Sequence, residues 1–313
     1  MKAATIVDGA IVVREHPDPE PGESQILVRV HAAGLNAADS MQRHGYYPPP
    51  PGVPVDIPGL EFAGDVVATG RGVRRWSVGD RVMSVVGGGG QAELIVVHER
   101  QAVAVPAVLA WEEAGALPEV FTTAHDALFT QAGLTIGEKL CVHGAAGGVG
   151  TAAVQLAVAA GARVVASVRK PDLRERVAAL GATAVDPSEA PAYGPYDVIL
   201  ELVGAPNMGA NVESLSTGGR IAVIGVGGGS NAELNLLGLM AKRGRIHGST
   251  LRPRPLEAKA HAARRLEAQV LPLFDSGSLH VPIEATFALE EAAAAYDRFD
   301  AGGKFGKVVI TMA

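Results

Sequence analysis

The sequence predicts an α/β protein, a doubly wound parallel sheet joined to an irregular β domain. Three observations lead there. Eleven of the twenty prolines fall within residues 1–118, where short Val/Ile-rich runs alternate with turn signals. From about residue 120, strand-like apolar runs alternate instead with segments of helical periodicity. At residues 144–150 one of these runs meets a helix through the loop Gly144-Ala145-Ala146-Gly147-Gly148-Val149-Gly150. At 313 residues the chain exceeds the usual size of one core, so two domains are expected.

In chain order, Gln25–His31, Glu61–Ala68, Asp80–Val86 and Gln91–Val97 read as strands of the irregular β domain. Pro48 to Pro51 make a rigid extended loop, because each ring fixes its own backbone angle. The apolar runs at 139–143, 163–168, 182–186, 197–203, 220–226 and 245–250 are six strand candidates of a parallel sheet. Between the first two, Val149, Ala152, Ala153, Leu156, Ala157 and Ala160 share one helical face. The next crossover carries Leu173, Val177 and Leu180, with Gly181 as its C-cap. Six strands match the two halves of a Rossmann dinucleotide-binding fold. The last sixty residues break the repeat: a helix from about Leu256 to Ser276, an extended Ile283–Phe287, a helix at Glu290–Phe299 and a strand at Lys307–Thr311. They are expected to return to the first domain. The predicted division is 1–118 completed by 254–313, and 119–253.

Composition narrows the function. Hydrophobic residues make up 48% of the chain and charged ones 19%, which describes a folded globular protein. A net charge of −6, with no Lys/Arg run, argues against nucleic acid as a partner. The single cysteine, Cys141, excludes an intramolecular disulfide and a Cys-rich zinc lobe. Placed inside an apparent strand, it is expected to be a buried inert thiol rather than a reactive one. The N-terminus lacks the apolar core of a signal peptide, and the most apolar segment is interrupted by Gln155, Gly161 and Arg163. The expectation is a soluble cytoplasmic protein with no membrane partner.

The glycine loop carries the chemistry. Gly144, Gly147 and Gly150 permit a tight turn, close approach to a pyrophosphate and close helix–strand packing, and the helix start offers free N–H groups to the anion. Ala146, Gly148 and Val149 complete the cradle. Sites preferring NAD place an acid at the end of the second strand, whereas here the strand ends Ala166-Ser167-Val168-Arg169-Lys170. Ser167, Arg169 and Lys170 would suit a 2′-phosphate, hence NADPH. The plainer reading makes the two cations solvated helix-start charges. Ligands in such sheets bind at strand ends, which adds Val203, then Gly225, Val226 and Gly227, then Ser249 and Leu251.

Three motif groups go beyond the loop: Ala33-Gly34-Leu35-Asn36-Ala37-Ala38-Asp39 with Arg43-His44-Gly45-Tyr46-Tyr47 and the polyproline run, Pro58-Gly59-Leu60-Glu61-Phe62-Ala63-Gly64, and Val78-Gly79-Asp80-Arg81-Val82. With His143–Gln155 they resemble, nearly end to end, the medium-chain dehydrogenase/reductases, and within them the zinc-free NADPH:quinone oxidoreductases. Met41-Gln42-Arg43 and Gly87–Gln91 look most like the tumour-suppressor-inducible branch. The resemblance implies a GroES-like β domain, Thr123 and Asn36 near the nicotinamide, Lys307 near the cofactor, and a homodimer. Zinc-dependent relatives place a cysteine ligand where this chain has Asn36 and a histidine where it has Leu60. Leucine offers no donor and an amide oxygen is a weak one, so no metal site is expected.

Hydride delivery without a Lewis acid suits an acceptor that is already electrophilic, a small-molecule quinone or other conjugated carbonyl. Tyr47 is the first candidate to donate to its oxygen, Tyr46 the second. Either ring could instead pack on the proline loop. Asn36 and Asp39 could orient that network, and Asp39 could equally stabilise a turn. An enone or enoyl-thioester reductase uses the same geometry, although no basic patch for a coenzyme A or carrier-protein group shows near the loop. A non-enzymatic NADPH-binding protein is the remaining alternative.

Overall fold

A computed structural model describes residues 1–312. The chain divides into two compact units: Met1–Thr122 with the segment from Leu251 onward, and Thr123–Thr250.

The first unit opens on a hairpin, β1 (Lys2–Val7) and β2 (Ala10–Glu15), closed by Asp8-Gly9. Both turn residues have positive φ, 50° and 80°, the twist-matched geometry that Asp-Gly favours. β3 (Gln25–Gly34), α1 (Ala37–Arg43), β4 (Glu61–Thr69), β5 (Arg81–Val85), β6 (Leu94–His98) and β7 (Val103–Ala104) follow, then α2 (Trp111–Ala116) and α3 (Pro118–His125). The expected strands are present with shifted ends. The hairpin and the short helices carry too few periodic residues to announce themselves.

In the second unit a π-helical segment, Asp126–Gln131, precedes β8 (Lys139–His143), α4 (Gly148–Ala159), β9 (Arg163–Ser167), α5 (Pro171–Ala178), β10 (Thr183–Val185), β11 (Tyr196–Glu201), α6 (Met208–Glu213), β12 (Leu215–Val223), α7 (Leu236–Ala241) and β13 (Arg245–Gly248). Six strands run parallel in the order β10-β9-β8-β11-β12-β13. In order of appearance this is 3-2-1-4-5-6, two βαβ halves that diverge between β8 and β11, where such sheets bind their ligands. Cys141, Ile199, Ile221 and Tyr196 pack in its core. Burial pushes the Cys141 thiol up to about 12, so it is inert at neutral pH. β12 starts earlier than its apolar run because Leu215 also pairs, with Tyr196, before a register shift.

The C-terminal segment adds α8 (Leu256–Gln269), α9 (Leu271–Asp275), β14 (Ile283–Ala288), α10 (Ala292–Asp300) and β15 (Lys307–Thr311) to the first unit. One helix was expected over 256–276. Two form, because Pro272 lacks the N–H a continuing helix needs. β15 joins β3 antiparallel, giving the sheet order β14-β15-β3-β4-β5-β7 with β6 also paired to β3. Phe62, Tyr296, Ile26 and Ile310 lie in the core beneath it. Among the described residues no helix is long and apolar enough to cross a membrane.

Candidate functional site

In the second unit β8 ends at His143 and the chain turns at Gly144, whose φ of 67° a side chain would strain. Gly147 is the N-cap of α4. A Cβ on Gly150 would lie 2.5 Å from Gly144 O and 2.6 Å from Ala145 Cα, so helix and turn are packed too closely for any side chain. A Cβ on Gly147 would meet nothing nearer than Gly144 O at 3.5 Å. The N-terminal face of α4 is therefore open. There Gly148, Val149 and Gly150 present first-turn N–H groups that no helical carbonyl can reach. Ala146 to Val149 are partly exposed. This arrangement can hold an anion.

The neighbouring strand ends are held by a network that the sequence did not announce. Glu201 Oε1 accepts from Val203 N at 2.7 Å and Gly204 N at 2.8 Å. Its Oε2 accepts from Asn211 Nδ2 at 2.7 Å, and Asn211 Oδ1 accepts a hydrogen bond from His143 Nε2 at 2.8 Å. The loop after β12 is pinned to the one after β11, with Gly228 N donating to Val203 O at 2.7 Å. A Cβ on Gly225 would strike Leu202 O at 2.5 Å, whereas one on Gly227 would meet nothing within 4 Å. Val226 is exposed beside it. Ser249 N donates to Val223 O after β13. Thr123 is buried in the same unit.

At the end of β9, Ser167 is buried while Arg169 and Lys170 are exposed at the start of α5. Neither cation pairs with a carboxylate among the described residues. Arg174 is not available to a ligand in the same way: it bonds Asp186 and the Val168 carbonyl, the latter at 3.0 Å. Asp186 thus meets an arginine of its own chain, and hydrogen bonds from Ser188 with that pairing hold its carboxyl below the usual range.

In the first unit, Lys307 Nζ donates to Glu61 Oε1 at 2.6 Å, Asn36 Oδ1 at 2.7 Å and Leu35 O at 2.7 Å. Asn36 Nδ2 donates in turn to Glu61 Oε1 at 2.9 Å, and Glu61 Oε2 accepts from Glu119 N at 2.8 Å. Asp39, wholly buried, accepts from Asn36 N at 2.8 Å and from Gly59 N at 3.0 Å. Burial raises its carboxyl to about 6 against those two donors. Asp39 is both cap of α1 and anchor of the loop before β4. Among the described residues no three His, Cys, Asp or Glu side chains gather as a metal would need.

Tyr47 is half-buried. Its carbonyl accepts from Arg252 Nη1 at 2.8 Å, and the guanidinium stands 5.1 Å over its ring. Arg252 also donates to Gly87 O at 2.7 Å and Gln42 Oε1 at 2.5 Å, so it ties the polyproline loop to the glycine run at 87–90. Burial raises the Tyr47 phenol above its ordinary value, which keeps it protonated and able to donate at neutral pH. Tyr46, by contrast, is 78% exposed, against His44. Leu251 falls in this unit rather than with the other strand-end residues. The Glu61–Lys307 pair and the anchoring role of Arg252 were not legible, since their partners lie 246 and 165 residues apart.

Known proteins match this architecture. Residues 22–107 match the alcohol dehydrogenase GroES-like domain and residues 148–268 the zinc-binding dehydrogenase family. A quinone oxidoreductase of Rattus norvegicus is 32% identical over 307 residues, covering 94% of this chain and 91% of that protein. The human quinone oxidoreductase is 31% identical with the same coverage. Among solved structures, a quinone oxidoreductase of Pseudomonas syringae superposes with a TM-score of 0.87 at 28% identity, covering 99% of this chain and 100% of that one. A mycobacterial protein complexed with NADPH reaches 0.89 at 25% identity, again covering 99% and 100%. The sheet order, the open glycine loop and these matches agree, and the chain belongs to the quinone oxidoreductases of the medium-chain dehydrogenase/reductase superfamily.

Proposed function

We propose that the protein reduces quinones with NADPH, by hydride transfer and without zinc. The observation that carries this reading is the Lys307 ammonium, bonded to both Glu61 and Asn36. An ammonium held within 3 Å of those oxygens supplies the positive charge their lone pairs need and opposes a divalent ion there by repulsion. Leu60 beside them adds no donor atom. The acceptor must then be electrophilic by itself, as a quinone is.

NADPH, once bound, supplies a hydride from its nicotinamide ring. The chain's own residues do the rest. The open face of α4, with Gly144, Ala146, Gly147, Gly148, Val149 and Gly150, holds the pyrophosphate. Ser167, Arg169 and Lys170 hold the 2′-phosphate, while Thr123, Val203, Gly225, Val226, Gly227 and Ser249 line the remainder. The Tyr47 phenol donates a hydrogen bond to the acceptor carbonyl as charge develops on it. Two electrons and a hydrogen arrive as hydride, and a proton from solvent completes the hydroquinone. Asn36 and Asp39 position this end of the unit, since each fixes backbone or a charged partner. The protein acts in the cytoplasm as a dimer. Leu236, Leu237 and Met240 are largely exposed on α7, the helix that leads into the edge strand β13, and support pairing on that side of the sheet.

The test is NADPH oxidation in parallel with 1,4-quinones, enones and enoyl thioesters. Turnover of the quinones is expected. Turnover confined to enones or thioesters makes the protein an alkene reductase, and NADPH binding without turnover of any makes it a binding protein.

A further inference from the structure

Lys259, on α8, lines two cavities of the first unit at once. One is a small apolar pocket of about 20 Å³, among Val85, Thr122, Leu251 and Leu266. The other is a larger space of about 330 Å³ bounded by Val53, Ile57 and the glycines at 87–89. The side chain is half-buried, and among the described residues its Nζ makes no hydrogen bond or ion pair. Burial and the charge of Arg252 push the ammonium's pKa down, and the Glu119 carboxylate offsets this only in part. A cation partly withdrawn from water and without a protein partner is stabilised when an anion binds beside it.

Its neighbourhood is that of Tyr47. Arg252 binds the Tyr47 carbonyl and the carbonyl of Gly87, which lines the larger cavity. The Glu119 field acts on Tyr47, Arg252 and Lys259 alike. Arg252 already has three of its five N–H donors on Gly87, Tyr47 and Gln42. Lys259 has none so engaged.

We infer that Lys259 recognises an anionic substituent on the acceptor, so that the preferred substrate is a conjugated dicarbonyl carrying a carboxylate or an ionised hydroxyl group. The larger cavity, walled by Val53, Ile57, Val86 and Ile95, takes its hydrocarbon part, and the Lys259 ammonium on the same wall takes its charge. This rests on the reading of Tyr47 as the acceptor's hydrogen-bond donor.

The experiment compares 1,4-naphthoquinone with 1,4-naphthoquinone-2-sulfonate in the wild type, Lys259→Met and Lys259→Arg. The ratio of kcat/KM for the sulfonate to that for the neutral quinone should fall roughly tenfold or more in Lys259→Met and be largely kept in Lys259→Arg. An unchanged ratio in Lys259→Met overturns the inference. So does an equal fall in Lys259→Arg, which traces the loss to packing of the side-chain stem. If the wild type reduces neither quinone, the functional reading fails separately, and calorimetry with naphthalene-2-sulfonate decides the anion site. Affinity at least tenfold weaker in Lys259→Met sustains it; equal affinity, or no binding to the wild type, overturns it.

Discussion

Lys307 Nζ lies 2.6 Å from Glu61 Oε1, with side-chain exposures of 3% and 0%. A buried ion pair of this kind gains little net stability, because both ions lose their hydration, yet losing one partner strands the other. Lys307→Met should therefore destabilise the first unit by about 3–5 kcal/mol, read as a lower urea midpoint. Glu61→Gln keeps a polar end for Asn36 and strands a lysine long enough to reach other acceptors, so its cost should be smaller. Equal midpoints for Lys307→Met and wild type would remove the pair from any structural role.

Arg169 and Lys170 are exposed and without carboxylate partners at the end of β9. If they hold the 2′-phosphate, Arg169→Ala loses a charge-assisted bond that NADH never made. The KM for NADPH should rise roughly tenfold while that for NADH changes little, a difference of about 1.4 kcal/mol. Equal effects on both cofactors would return Arg169 to the role of a solvated charge.

Asp39 has its carboxyl raised to about 6 by complete burial. The folded protein holds that proton more tightly than the unfolded chain, whose carboxyl titrates at about 3.9. The sign follows: the contribution is full below about pH 4 and is lost as pH rises through 6. Wild-type stability should fall across this window relative to Asp39→Asn, by on the order of 3 kcal/mol at full ionisation. Urea midpoints at pH 4, 5, 6 and 7 test it, and parallel curves for the two proteins would refute it.

Leu237, on α7, is 75% exposed with Leu236 and Met240 beside it. Clustered exposed apolar groups on one helix fit a self-complementary interface. Sedimentation equilibrium should give twice the chain mass for the wild type and a monomer for Leu237→Glu. A monomeric wild type would leave α7 unexplained by pairing.

Much of this protein is local and therefore legible from its residues. The parallel sheet follows from apolar runs such as 139–143 and 163–168, each bounded by its own turns, and Gly144 to Gly150 is read from glycine spacing together with the strand before it and the helix after it. Lys307–Thr311 forms the strand its residues predict, because the β-branched run Val308-Val309-Ile310 after Gly306 suits a pleated backbone. What tertiary structure decided are the partners. Nothing near Lys307 in sequence points to Glu61, nothing near Arg252 points to Tyr47 or Gly87, and Glu201 reads as a strand-end acid until Asn211 and His143 close on it. Periodicity reports which face of an element is buried. Which side chains meet there depends on how distant segments pack, and that is where the buried charges of this protein found their counterparts.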